Sequence, residues 1–167
     1  KAGAASFVVS ATDANECVGR KIVTFDIVQT TIGLGNLIFF DTNGSGYYDD
    51  GEGVNGVTVQ LYSATQTPGA GTPLFSQATA NGGRYLFGQI PAGSYRVHIP
   101  ATMFAAGAPL ASTMSIAEAV SGDDDVGEDG INSASPATTG ISSAVINLAI
   151  GNAPTDENGE TGTDYDS

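Results

Sequence analysis

The sequence predicts an all-β protein built as an antiparallel sandwich or barrel. Short segments alternate between apolar and polar residues along most of the chain, and clusters of Gly, Pro, Asn and Ser separate them. The composition agrees, since 23 Gly, abundant Thr and Ser and no Trp suit an exported β-rich protein better than a helical cytosolic one. At 167 residues, the chain is long enough for one domain with its own core plus extensions.

The charge balance limits the possible partners. The chain carries 18 acidic residues against 5 Lys and Arg, which gives a net charge of −13 at pH 7. Nucleic acid and anionic membranes attract basic surfaces, so we expect neither as a partner, whereas cations are natural ligands. No segment approaches the roughly 18 continuous apolar residues of a membrane span, so no membrane insertion is expected. The start at Lys1 without an initiator Met leads us to expect a mature or excised product.

Period-two alternation predicts the strands. Residues 22–29 read IVTFDIVQ and place Val23, Phe25 and Ile27 on one face. A further short strand is expected within SFVVSA, nearer the N-terminus. The other predicted strands are residues 34–40, 57–62, 74–79, 85–87, 95–99 and 141–150.

Within these segments, local patterns predict which side chains face inward and where the chain turns. In VTVQLY, residues 57–62, the residues Val57, Val59 and Leu61 are expected to point into the core. The sequence NGG at residues 81–83 predicts a hairpin turn, because Asn and Gly tolerate positive φ.

Two further expectations concern the second half of the chain. Residues 101–119 contain Ala and Met with little alternation, which predicts one or two short helical turns on a long crossover. The single histidine, His98, is offset by one position from Val97, so we expect it on the solvent face without a catalytic role. No nucleophile motif and no phosphate-binding glycine loop occurs, so the chain is not expected to be an enzyme.

The stretch DTNGSGYYDDGE, residues 41–52, places oxygen donors at alternate positions and has the spacing of an EF-hand calcium loop. The flanking segments are predicted strands, so we expect a structural strand–loop–strand calcium site, because no helix pair is present to open. A polar turn without metal is the alternative. The candidate ligands are Asp41, Asn43, Ser45, the backbone carbonyl of Tyr47, Asp49 and Glu52, with Gly46 at the sixth position.

Two long motifs carry a family resemblance. Residues 35–62, GNLIFFDTNGSGYYDDGEGVNGVTVQLY, and residues 84–100, RYLFGQIPAGSYRVHIP, resemble the calcium-binding B-type domains of serine-aspartate repeat surface adhesins, the SdrD B-like domains related to the Cna B-type fold. The resemblance covers roughly residues 32–160. It implies an immunoglobulin-like sandwich of about seven strands, used as a calcium-stiffened stalk or structural module outside the cell. The family's loop ligands correspond to the six candidate positions given above.

The resemblance also suggests further calcium sites, since related modules often bind more than one ion. An acidic stretch, SGDDDVGEDG at residues 121–130, matches no fixed ligand spacing, and a solvated charge run is an equal alternative. The candidate residues for a second site are Asp123, Asp125, Glu128 and Asp129, with Asp124, Asp156 and Glu157 as additional donors.

One departure from the family pattern suggests how the protein assembles. Domains of this type close with a strand of Val-Asp-Phe-Gly-Phe character after a PTDENG-like segment, whereas this chain continues into TGTDYDS and carries the similar strand IVTFDIV before the domain. An unclosed sandwich would expose an apolar groove and a strand edge. The N-terminal arm, residues 1–30, could fold into its own domain or insert into a neighbouring subunit as a donor strand. The candidate arm residues are Ile22, Val23, Phe25, Ile27 and Val28.

These observations favour a structural subunit of a calcium-stabilised extracellular filament, in which each subunit donates one strand and receives another. The expected partner is therefore another copy of the same chain, in a homopolymer, and the single cysteine, Cys17, could form a disulfide only between two chains. The alternatives are a monomeric spacer or stalk, a carbohydrate- or protein-binding adhesion module of a larger surface protein, and an accessory domain of an enzyme.

Overall fold

The computed structural model describes residues 3–15, 18–27, 31–44, 48–115, 130–131 and 133–150. The chain divides into two compact units, Lys1–Thr30 and Thr31–Ser167. A 3₁₀ helix spans Ala101–Phe104, and a one-turn α-helix, α1, spans Pro136–Thr139. The strands in the described residues are β1 Gly3–Thr12, β2 Val18–Ile27, β3 Thr31–Leu37, β4 Thr58–Ser63, β5 Phe75–Ala78, β6 Arg84–Pro91, β7 Gly93–Ile99, β8 Gly130–Ile131, β9 Ile141–Ser143 and β10 Ile146–Leu148.

The first unit contains an antiparallel hairpin of β1 and β2. Its register runs without a break from Gly3 opposite Ile27 to Thr12 opposite Val18. The sequence predicted a strand at residues 22–29 and a short one near SFVVSA. The structure makes both of them ten-residue strands and pairs them with each other.

The second unit contains two antiparallel sheets that pack face to face. One sheet has the strand order β5-β4-β7-β9-β8, with β10 also bonded to β7, and the other consists of β3 and β6 in the described residues. Val57, Val59 and Leu61 are fully buried, as the alternation predicted. The predicted immunoglobulin-like β-sandwich is confirmed. The side chains of its main core are Ile32, Leu34, Val59, Leu61, Tyr85, Phe87, Ile90, Tyr95, Val97 and Leu148.

The NGG turn joins β5 to β6 and has the predicted backbone conformation. Asn81, Gly82 and Gly83 have φ values of 51°, 84° and 87°, which Asn and Gly adopt at low cost. The side chain of Asn55 fixes the turn from outside the hairpin, because its Oδ1 accepts hydrogen bonds from the Gly82 and Gly83 backbone N–H groups at 3.0 and 2.9 Å.

The crossover after β7 forms a second, smaller core. A helical turn was predicted within residues 101–119, and the 3₁₀ helix at Ala101–Phe104 confirms it. The chain then returns so that the Leu110 backbone N–H donates to the Met103 carbonyl oxygen at 2.9 Å. Residues 116–119 lie outside the described residues. The buried side chains of this second core are Val57, Phe104, Leu110 and Ile141.

The strand predicted at residues 141–150 is divided into β9 and β10, both of which pair with β7. A side chain explains the interruption. The Val97 backbone N–H donates to Ser143 Oγ at 3.0 Å, and that hydroxyl donates to the Ala144 carbonyl oxygen at 2.8 Å. Because the serine hydroxyl takes the place of a backbone acceptor, the ladder breaks between the two short strands.

The expectation that His98 faces solvent is wrong, because only 1% of its surface is exposed. Val97 points into the core between the sheets, and His98 points to the opposite face of β7, where other groups cover it. Its Nδ1 lies 2.9 Å from Ser142 Oγ, and the Tyr62 ring packs edge-on with centroids 5.9 Å apart. Gly69 approaches so closely that an added Cβ would lie 3.3 Å from Nε2.

This burial predicts that stability falls in mild acid. Burial lowers the pKa of His98 below its ordinary value of 6.5, while a hydrogen bond with the Ile141 backbone acts in the opposite direction. The unfolded chain therefore binds the proton more readily than the folded one, so the contribution is complete above pH 6.5 and is lost as pH falls below it. Urea unfolding of the parent and of His98→Asn, between neutral and mildly acidic pH, measures this contribution to the free energy of unfolding. Equal pH slopes for both proteins would contradict the prediction.

Candidate functional site

The predicted cation loop, residues 41–52, begins and ends on a short antiparallel base. The Phe40 backbone N–H donates to the Glu52 carbonyl oxygen at 3.0 Å, and the Val54 N–H donates to the Ile38 carbonyl oxygen at 2.8 Å. These bonds lie beyond the last residue of β3. They pair the chain that enters the loop with the chain that leaves it, and these two segments are the limbs of the loop. The loop is therefore held at its base by backbone contacts on both limbs.

The carboxylate of Glu52 ties the two limbs together inside the loop. Its Oε1 accepts hydrogen bonds from the Thr42 backbone N–H at 2.8 Å and from the Thr42 hydroxyl at 2.6 Å. Its Oε2 accepts from the Asp49 backbone N–H at 3.1 Å. The bonds from the Thr42 hydroxyl and N–H hold the pKa of Glu52 below its ordinary value of 4.5, while desolvation acts in the opposite direction. This carboxylate is therefore ionised at neutral pH and buried with partners, at 8% exposure.

The other described candidate ligands are also engaged within the loop. Asp41 Oδ1 accepts from the Gly44 backbone N–H at 2.7 Å, which forms a local turn at the first ligand position. Asn43 Nδ2 donates to Asp49 Oδ2 at 2.7 Å, so the third and ninth loop positions are in contact. The donor set of carboxylate and amide oxygens suits a hard cation such as calcium.

The structure describes only part of the predicted ligand set. Asp41, Asn43, Asp49 and Glu52 are described, and no three His, Cys, Asp or Glu side chains within the described residues are grouped so that they could hold a metal ion. Calcium binding therefore stays a prediction. The candidate positions that lie outside the described residues are Ser45, Gly46 and Tyr47 in the loop, and Asp123, Asp124, Asp125, Glu128, Asp129, Asp156 and Glu157 for the second site.

An apolar groove of about 410 Å³ lies beside the loop. One wall is the segment of residues 36–41, which includes the end of β3 and the start of the loop. The opposite wall comes from the ends of β7 and β9, and Phe104 and Leu110 of the crossover also line the cavity. Sequence reasoning missed these two crossover residues as groove residues, because nothing local to them indicates which strands they contact.

The groove and the cation loop share residues. Phe39, Phe40 and Asp41 line the groove, and Asp41 is also the first candidate ligand. The Phe39 ring packs edge-on against Tyr48 of the returning limb, with centroids 5.8 Å apart. A change in the loop can therefore reach the groove wall through direct contacts.

The candidate arm residues belong to the β1–β2 hairpin. Ile22 is 67% exposed and lies opposite Val8, which is 60% exposed. Val23, Phe25 and Ile27 occupy alternate positions of β2, opposite residues of β1. Val28 lies outside the described residues, as does Cys17.

The part of the chain that the structure describes contains no helix with the length and apolar character needed to cross a membrane. A comparison with curated proteins finds no match. The family model of the SdrD B-like domain matches residues 32–142, which is more than half of the chain and includes the loop, the crossover and most strands of the sandwich, but not β10. The chain therefore belongs to the SdrD B-like domain family, whose members are structural modules of cell-surface proteins.

Proposed function

We propose that the protein is a structural subunit of a calcium-stabilised extracellular filament, in which the N-terminal arm of one subunit inserts into the groove of the next. The observation that carries this proposal is the apolar groove at the side of a sandwich whose smaller sheet has two strands in the described residues. A strand added there would cover apolar side chains and extend the smaller sheet.

The arm has the properties of a donor. Its ten-residue strands pair with each other in a sheet of their own within the described residues. A two-stranded hairpin is at best marginally stable in water, so contact with another sheet would stabilise it. Alternate positions of β2 hold Val23, Phe25 and Ile27, which is the pattern that a groove with successive pockets accepts.

Donation between subunits gives a polymer. The arm that donates and the groove that accepts are different surfaces. Two subunits joined by one contact therefore still have one unused arm and one unused groove, and the assembly grows as an open chain. Subunits with a net charge of −13 repel one another when they are brought together. Bound cations reduce that repulsion, which is why calcium and assembly belong to one proposal.

In this proposal, calcium is held by the side-chain oxygens of the loop and by one backbone carbonyl. When bound, it neutralises carboxylates that otherwise repel one another and cross-links the two limbs. The residues that would hold it are Asp41, Asn43, Ser45, Tyr47 through its carbonyl, Asp49 and Glu52.

Negative-stain electron microscopy of the full chain, with calcium and with chelator, tests the assembly. Filaments with a regular repeat in calcium, and fewer or shorter ones in chelator, are the expected result. A chain that stays monomeric under both conditions would overturn the proposal in favour of a spacer or stalk module.

Calcium is expected to stabilise the fold through Asp41. A ligand that binds only the folded state adds about 2.7 kcal/mol at a hundredfold excess over its dissociation constant. Asp41→Asn should lose most of this stabilisation, whereas Asp50→Asn, which removes the same charge at a loop position outside the ligand spacing, should keep it. Thermal unfolding in calcium and in chelator measures both. Equal calcium effects in the two variants would show that Asp41 is not a ligand.

A further inference from the structure

We propose that Glu52 is a positioning residue for the groove, because its carboxylate fixes the wall that receives the arm of a second copy. This inference rests on the proposed function, since it assigns to Glu52 a role in accepting the arm. It does not depend on a bound cation, because every contact that carries it is made by the protein itself.

The wall needs support from outside the regular sheets. The last register pair of β3 with β6 is Leu37 opposite Arg84, and the groove-lining segment continues beyond it. There the Ile38 N–H donates to the Gly83 carbonyl oxygen at 2.8 Å, and the Phe40 N–H donates to Glu52. The wall is therefore held by a few backbone bonds to other loops rather than by a full ladder.

The Glu52 side chain supplies the remaining support. Its two oxygens bind Thr42, which follows the wall directly, and the backbone N–H of Asp49 on the returning limb. Tyr48 precedes Asp49 and packs against Phe39 of the wall. The Glu52 carboxylate thus fixes the end of the wall. It also fixes the returning part of the loop, where Tyr48 contacts Phe39 of the wall.

Loss of this carboxylate should weaken binding in the groove more than it disturbs the core. None of the buried core side chains in the described residues belongs to the loop at residues 41–52, whereas Ile38 of the wall packs against both cores. Without the Glu52 hydrogen bonds, the wall must become ordered when the arm binds, and that ordering reduces the affinity. We expect a loss of affinity of about tenfold in Glu52→Gln.

The test measures binding of a labelled peptide with the sequence of residues 18–29 to the full-length chain in chelator, by fluorescence anisotropy at a protein concentration below the onset of assembly. Glu52→Gln should bind about tenfold more weakly than the parent. Thr42→Val, which removes only the hydroxyl donor, should show a smaller loss. Asp50→Asn carries the same charge change as Glu52→Gln two residues away and should bind like the parent.

A stability control separates positioning from general destabilisation. Val59→Ala removes part of a side chain that is fully buried in the core and does not line the groove. It should lower the melting temperature and leave peptide affinity unchanged. If Glu52→Gln and Thr42→Val bind as tightly as the parent, the inference is overturned while the proposed function stands. If no protein binds the peptide, the parent included, the proposed function fails.

Discussion

Removing residues 1–29 is expected to abolish filament formation while leaving the sandwich folded. Within the described residues, the buried side chains of both cores lie between Ile32 and Leu148, so we expect the sandwich to fold without the deleted strands. The truncated chain retains the groove but has no strand to donate, and growth by donation then stops. Electron microscopy in calcium measures the loss, and circular dichroism checks that the β-structure remains. Filaments of normal length from the truncated chain would contradict donation by the arm.

A matched pair of point variants tests the same contact in the full-length chain. Phe25→Asp places a charge at one of the alternate apolar positions of β2, whereas Thr24→Asp places the same charge at the neighbouring position. Successive strand residues belong to opposite faces, so only one of the two charges would enter the groove. Phe25→Asp should prevent assembly and Thr24→Asp should reduce it much less. Equal losses would show that charge on the arm, rather than its insertion, controls assembly.

Gly53→Ala is expected to cause the largest loss of stability among single substitutions at the loop base. A Cβ at Gly53 would overlap the backbone carbonyl of Gly82, which cannot move without breaking the turn that Asn55 fixes. Overpacking against backbone predicts a loss of about 3 kcal/mol, at the upper end of the usual range. Urea unfolding measures this loss.

Gly88→Ala is the matched control. An added Cβ at Gly88 has no heavy atom within 4 Å, and the residue lies in β6 on the exposed side of the sheet. The substitution should leave stability unchanged or raise it by about 0.4–1 kcal/mol through the unfolded state. Similar losses in Gly53→Ala and Gly88→Ala would mean that the close approach at the loop base does not limit stability.

Local patterns in the sequence predicted the parts of the fold that local chemistry determines. The alternation at Val57, Val59 and Leu61 and the NGG turn depend on residues near one another in the chain, so both were predicted correctly. The burial of His98 depends instead on a distant loop around Gly69 and could not be predicted from alternation. The break between β9 and β10 arises from one serine hydroxyl bound to a strand about 46 residues away, which no periodic pattern reveals.

The candidate site divides in the same way. Spacing alone predicts Asp41, Asn43 and Asp49 as candidate calcium ligands, because the loop pattern counts alternate residues. It gives no indication of Thr42, an intervening residue that makes two hydrogen bonds to Glu52 in the structure. The acceptor role of Glu52 and the groove beside it depend on which segments meet in three dimensions.

The hydrogen bonds around Asn55 also affect how the protein ages. Asn-Gly pairs deamidate spontaneously when the glycine nitrogen attacks the preceding side-chain carbonyl, and such residues limit the lifetime of exposed proteins. Here the Gly56 nitrogen is held by the Thr79 carbonyl oxygen at 2.8 Å, and the Gly82 nitrogen, which follows Asn81, is held by Asn55 Oδ1. Both nitrogens must leave these bonds before they can react. These two hydrogen bonds therefore also protect two Asn-Gly sites from deamidation.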